Sequence, residues 1–448
     1  MVEGKIGTVG SVMQSIGSVG PMLNVVGIFA IISAFWRPIW EVVLFAFSIS
    51  FLTVYTPMKI SEKVTSNGGY YSFNGIAGHK SAGVFVSYIY MAYGFLALPA
   101  ITLFMSGVLI SVLPDASGIM FYFIPLIVIF ISGMEVFIIS RGMGISIRYI
   151  EIFGFLEVAF LIFVSFLMIF HADSYFSRSS GPFLGSGFWE GTLFGILMFS
   201  GVGSSIFISE NTKNSKFLTG RSIIIAYLAT GAAMVFASYA VQSFIGPDIT
   251  GYNGNPFILI TLIRSAFGGI FMDIFLFFAL MSSANLAVSY LNAFRNSVMS
   301  MHRDGIFQRK SFGKKKFSSF YILIFLINGL LTISFYFTLG SFEGFVVMSG
   351  CVSLLFLSIH SISNITLTRF SFSRRETTGK IIPPASTVFL AFIMVMYLSG
   401  SGLETAITDA FYGTIVLASL MFLAVMKIYR KNQYATINFI ENDQRSFD

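Results

Sequence analysis

The chain has 448 residues, 55% of them hydrophobic and only 10% charged, against about 25% charged in a soluble domain. That composition excludes a water-soluble globular domain and places the chain in lipid. Its net charge of +7 does not mark a nucleic-acid partner, because the basic residues lie between the apolar stretches, and a lone cysteine, Cys351, excludes a disulfide framework.

Crossing the hydrocarbon takes ~20 apolar residues per helix. The apolar stretches predict about twelve spans, at 12–33, 39–58, 82–113, 118–139, 146–170, 190–208, 221–245, 270–300, 318–338, 343–366, 384–399 and 406–428. The eleventh is bounded by Pro383–Pro384 and Ser399–Gly400. No small-residue cleavage pattern follows the N-terminus, so no removable signal peptide is expected. With a cytoplasmic N-terminus, 24 of the 27 basic residues fall in cytoplasmic segments, and only Arg37, Arg178 and Arg264 fall outside. Basic residues mark cytoplasmic loops. The asymmetry therefore supports the count and predicts a multi-pass protein of the cell membrane with both termini cytoplasmic. The run Lys314–Lys316 is placed to touch anionic lipid.

Span 1 is broken in its middle by SIGSVGP (15–21), and span 6 carries FSGVGSS (199–205). Glycine loosens a helix, and proline removes a donor and clashes with the preceding turn. Each broken span opens a set of five, and five is odd, so the second set enters from the opposite face as an inverted repeat. The expected organisation is an N-terminal tail and first repeat (1–171), a second, inverted repeat (190–366), two additional spans (384–428) and a cytoplasmic tail (429–448). The outer segment 171–189 reads as a linker. The longer outer segment 246–269 reads as a re-entrant or helical lid.

Paired interruptions at matching places point to a transporter's binding site, although a single one also reads as a close-packing surface. A broken helix ends in free C=O groups and restarts with free N–H groups, carrying partial negative and positive charge. A zwitterion matches both ends. The N–H groups of Ser18, Val19 and Gly20 are the expected donors, ahead of Pro21 in the first resumed turn. Ile16 and Gly17 supply carbonyls, as do Phe199 and Ser200 in span 6, where Gly201 and Gly203 let the chain turn. Tyr93 of span 3 and Phe199 are candidates for closing over a substrate side chain. In a chain with 53 Phe and 19 Tyr, packing is the alternative for each.

Glu157 stands about eleven residues into span 5, roughly 16 Å deep, with no cationic residue at that depth. Desolvation there works against a charged carboxylate, and intramembrane acids of this kind relay protons. The alternative is a structural, protonated Glu bonded to Ser or Asn of a neighbouring helix. Glu151, closer to the cytoplasm, is placed to snorkel or to pair with Arg148 on the same face. Glu135, Glu210 and Asp273, counted from the helix ends, are expected at the interfaces. Ser282 and Ser283 lie near mid-depth in span 8, and His360 reads as a core histidine. No His/Cys cluster has metal-ligand spacing, no catalytic constellation is visible, and no phosphate or dinucleotide loop exists. The expectation is therefore neither an enzyme nor a cofactor or metal protein.

GSVGP in span 1, SNGGYYSF at 66–73, ISENTKN at 208–214 and NAFRNSVMSMHRDG at 292–305 resemble the amino acid–polyamine–organocation permeases. Four motifs in order cover roughly residues 11–430. The family's Gly-Ser-Gly is Ser18-Val19-Gly20 here, and position 203 is glycine where many relatives carry an acidic or bulkier residue. The resemblance implies an all-α, leucine-transporter-type fold and transport of amino acids or related amines by alternating access. It further implies that a titratable group on span 5, here Glu157, replaces a coupling sodium. Alternatively, hydroxyls on span 8, here Ser282 and Ser283, help bind sodium. The apolar surroundings of the breaks favour a neutral or aromatic amino acid. An exchanger without ion coupling and a non-transporting amino acid sensor of the same fold remain alternatives.

Overall fold

The computed structural model describes residues 6–112, 119–172, 185–246, 252, 257–304, 314–374, 377–399, 407, 411–416 and 419–420. Among them, eleven helices are long and apolar enough to cross a membrane. Span 1 is Thr8–Phe35, span 2 Ile39–Lys63, span 3 Lys80–Ser111, span 4 Phe123–Ser140, span 5 Met143–Phe170 and span 6 Ser186–Asn211. Span 7 is Ser215–Ile245, span 8 Gly269–Arg303, span 9 Tyr321–Leu339, span 10 Ser341–Ser373 and span 11 Gly379–Leu398. Each of the first eleven predicted spans falls on one of these. Several helices run past the apolar stretch, because i→i−4 bonding does not stop where hydropathy does. The tail 429–448 and most of the expected twelfth span and of the linker lie outside the described residues.

One boundary needs correcting. Pro383 and Pro384 do not start span 11 but lie inside a helix that begins at Thr378. Proline already has a helical φ, and in the second turn each of the two costs the helix an i→i−4 bond without ending it. The outer segment 246–269 contains a short helix, Phe257–Phe267, that buries Leu259, Ile260 and Ile263.

Spans 1 and 6 form the centre: 89% and 94% of their most apolar windows are buried, against 17% for span 9 and 28% for span 11. Span 10 packs along span 3, span 7 along span 2, and spans 1, 7 and 8 against span 5. The outer helices present Phe130, Phe155, Leu330 and Val388 outward, as helices facing acyl chains do. Ahead of span 1, Ile6 pairs with the end of span 6. Its N–H donates to the Asn211 C=O at 2.6 Å, and the Lys213 N–H donates to the Ile6 C=O at 3.0 Å.

Candidate functional site

In span 1 the helix Thr8–Gly17 stops and a new one starts at Pro21. Gly20 between them is left-handed, with φ 62° and ψ 62°, a conformation glycine adopts without a Cβ penalty. Pro21 opens the new helix, where its missing N–H is not needed. The turn closes on itself. The Ser18 N–H donates to the Gln14 C=O at 3.2 Å, the Val19 N–H to the Ile16 C=O at 2.9 Å, and Asn24 Nδ2 to the Val19 C=O at 2.8 Å. Of the three expected donors, the Gly20 N–H is the one outside these bonds. The Ile16 carbonyl is likewise engaged.

Span 6 changes pitch instead of unwinding. Its α-helix ends at Leu197, and Ser200–Asn211 winds as a 3₁₀-helix after a turn at Met198–Phe199. Such runs rarely exceed three or four residues, and inside a helix they often mark a hinge. The Phe199 carbonyl, an expected free acceptor, takes the Val202 N–H at 3.2 Å.

The two interruptions meet. A Cβ added to Gly201 would lie 1.7 Å from the Ser18 carbonyl oxygen, so only glycine fits there. Ser18 Oγ donates to Ser204 Oγ at 2.7 Å, and Ser204 Oγ donates to the Gln14 C=O at 3.0 Å. A cavity flanks the crossing on each side. One, of about 30 Å³, is lined by Gly201, Gly203 and Ser204 with Tyr70, Tyr90 and Tyr93. The other, of about 40 Å³, is lined by Val19, Leu23, Asn24, Ala97, Leu286 and Phe345. Tyr290 borders both, and its hydroxyl lies 3.1 Å from Ser200 Oγ. Each volume suits a few waters, so an amino acid would enter only as the aromatic rings part.

Tyr93 is on this wall, its ring 5.7 Å from that of Tyr290. Phe199 is not. It lies in the turn ahead of the 3₁₀ segment and packs on Phe47 and Tyr227, at 5.8 and 6.1 Å between ring centres. Ile16, Gly17, Ser18 and Gly20 also lie off both cavities, Gly17 against Ile150 and Ser289.

Glu157 is fully buried and reaches the resumed half of span 1. Its Oε1 accepts from the Met22 N–H at 3.1 Å and from the Ser282 hydroxyl, while Oε2 accepts from Asn285 Nδ2 at 3.1 Å. Ser282 Oγ in turn accepts the Leu23 N–H at 3.1 Å. Carboxylate and hydroxyl thus cap the free donors of a helix N-terminus, where negative charge is favoured. Ser283 is not part of this cluster. Its hydroxyl bonds back to the Ala279 carbonyl of its own helix.

Asn285, Asn24 and Tyr290 escaped the sequence reading. A signal for the first was present: Ser282, Asn285, Ser289, Asn292 and Asn296 follow at steps of three and four, one face of a helix. All five are buried, facing span 1 through Gln14, span 5 through Ser146 and Glu157, and span 6 through the Phe207 carbonyl. One carboxylate lies elsewhere than expected. Glu135 is buried among spans 3, 4 and 9 rather than interfacial, because its neighbours come from distant sequence. Glu151 lies against Gly10 of span 1 and forms no ion pair with Arg148 among the described residues.

The end of the bundle beside Ile6 is latched. Arg303 donates to both Glu210 oxygens at 3.1 and 3.2 Å, Glu210 and Asn67 exchange backbone-to-side-chain bonds, and Tyr71 donates to Asp304 at 2.7 Å. His360 Nε2 lies 3.0 Å from the hydroxyl of Tyr70.

No protein-family model matches the chain, and no curated protein does. Among solved structures, the crystal structure of MhsT in complex with L-phenylalanine aligns with a TM-score of 0.58. The alignment covers 87% of this chain and 98% of that one at 16% sequence identity. The chain has the leucine-transporter fold. It is an all-α, multi-pass membrane protein.

Proposed function

We propose that the protein is a secondary transporter of neutral or aromatic amino acids, of the amino acid–polyamine–organocation type. It works by alternating access, and Glu157 couples transport to a proton. The observation that carries this is the crossing of two interrupted spans between two small cavities, one aromatic-walled and one mostly aliphatic, that share Tyr290. The shared fold with a protein crystallised with L-phenylalanine supports the substrate class.

Substrate carboxylate and ammonium groups would compete for the backbone dipoles around Ser18–Gly20 and Ser200–Gly203, with Tyr93 and Tyr290 parting to admit the side chain. Glu157 links this site to a proton through the restart of span 1. Its ionised form accepts from Met22, Ser282 and Asn285. Its protonated form gives up part of that acceptance, loosening the cap on the resumed helix. Loading a proton would thereby bias the half-helix that borders the substrate site, which is the differential interaction coupling requires. Ser282 belongs to this unit, whereas Ser283 has no direct part in it.

Proteoliposomes loaded at one pH and diluted into another, with a panel of labelled amino acids outside, test the proposal. Uptake against a gradient, driven by inward proton flow and competed by phenylalanine or leucine, is the expected result. Exchange without pH drive would assign an uncoupled exchanger, and binding without flux a sensor. In Glu157→Gln, pH-driven accumulation should disappear while counterflow of label persists. Retained accumulation in that variant would remove Glu157 from coupling.

A further inference from the structure

The mechanism above leaves a second buried acid unused. Glu135 lies in span 4 and is 1% exposed. Its Oε2 accepts one long bond from Asn328 Nδ2 at 3.4 Å, and its Oε1 is buried without a partner. Asn328 Nδ2 also lies 3.0 Å from Ser132 Oγ and 3.1 Å from Thr102 Oγ1, while the Thr332 hydroxyl lies 3.4 Å from Asn328 Oδ1. Spans 3, 4 and 9 thus surround one carboxylate with neutral groups only. From span 5 the titratable group in electrostatic range is the Tyr149 hydroxyl, and the Arg295 charge on span 8 acts on Tyr321. Among the described residues no Lys, Arg or His pairs with Glu135.

An ionised carboxylate buried with one oxygen unpaired is among the least favourable arrangements a bundle can hold. A proton removes the charge, and on Oε2, the oxygen that faces Asn328, it turns an acceptor into a donor. Asn328 can answer either state. Its amide has two N–H donors facing three oxygens, and a half-turn about the terminal bond exchanges those donors for an acceptor. We propose that Glu135 is a second proton-binding site, closed by Asn328, whose occupancy sets the amide's orientation and clasps spans 3, 4 and 9 together. This does not depend on the transport assignment.

The test is infrared spectroscopy of the purified full chain in detergent, titrated in H₂O and D₂O in the Glu157→Gln background, together with thermal unfolding. A protonated-acid carbonyl band should be present, absent in the added Glu135→Gln variant, and displaced in Asn328→Ala. The melting temperature of the Glu157→Gln protein should fall as rising pH strips the proton, and Glu135→Gln should flatten that fall. An acid band unchanged in Glu135→Gln, or one responding to sodium at fixed pH, would overturn the proposal. Should Glu135→Gln not fold, an undisplaced band in Asn328→Ala overturns it equally.

Discussion

Spans 1 and 6 are interrupted by the same kinds of small residue, yet they are interrupted differently. In span 1 the axis breaks: Gly20 is left-handed, Pro21 restarts the helix, and the new first turn gives its N–H groups to Glu157 and Ser282. In span 6 the axis tightens into a 3₁₀-helix, no residue of the segment is left-handed, and Gly201 serves to let the Ser18 carbonyl in. One glycine supplies a backbone conformation, and the other supplies room. The break in span 1 makes a charge-binding helix end, whereas the one in span 6 makes the smooth surface against which the first half of span 1 is held.

Substitutions separate the two roles. The largest effect is expected at Gly201. In Gly201→Ala the methyl group meets backbone at 1.7 Å, which cannot swing aside as a side chain would. Spans 1 and 6 must part, with a loss of about 3 kcal/mol, the upper end of overpacking losses, read as a drop in melting temperature with abolished uptake. A Gly201→Ala protein of native stability would break the comparison on the span 6 side. Next comes Glu157→Ala, which leaves the Met22 N–H and the Asn285 amide without their acceptor. The expected loss is roughly 2–3 kcal/mol, with Glu157→Gln losing less because its carbonyl oxygen still accepts. Gly20→Ala should cost ~1–2 kcal/mol through left-handed strain. Gly20→Asn should recover part of it, since asparagine tolerates that conformation, while Gly201→Asn should recover nothing. Equal responses at both positions would erase the distinction.

The sequence makes the bundle legible for a physical reason. A helix in lipid must be apolar over a fixed length, so eleven spans announce themselves, and small residues inside two of them mark the crossing. Glu157 is equally visible, as a carboxylate at a depth where few occur. What escapes is everything set by rotation about a helix axis or by a partner far away in sequence. Phe199 stands in a turn between two helix types, where no periodicity predicts its direction, and it faces spans 2 and 7. Ser282 and Ser283 are indistinguishable by depth, but one step around the helix puts the first on Glu157 and the second on its own backbone. Depth counted from the end of span 4 places Glu135 near an interface. Thr102 and Asn328, which enclose it, come from spans 3 and 9.

The smallest expected effect tests whether the crossing is held by energy as well as by shape. Ser204 Oγ joins the spans twice, accepting from Ser18 Oγ and donating to the Gln14 carbonyl. Ser204→Ala leaves no orphaned donor on span 1, because the Ser18 hydroxyl is already within 2.8 Å of that carbonyl. The loss should therefore stay near 1 kcal/mol. Combining it with Ser18→Ala in a double-mutant cycle should return a coupling of about 0.5–1 kcal/mol. If the two losses simply add, the hydroxyl pair only accompanies an approach set by Gly201. If coupling appears in substrate-free protein and vanishes with saturating phenylalanine, then binding at this crossing separates the pair.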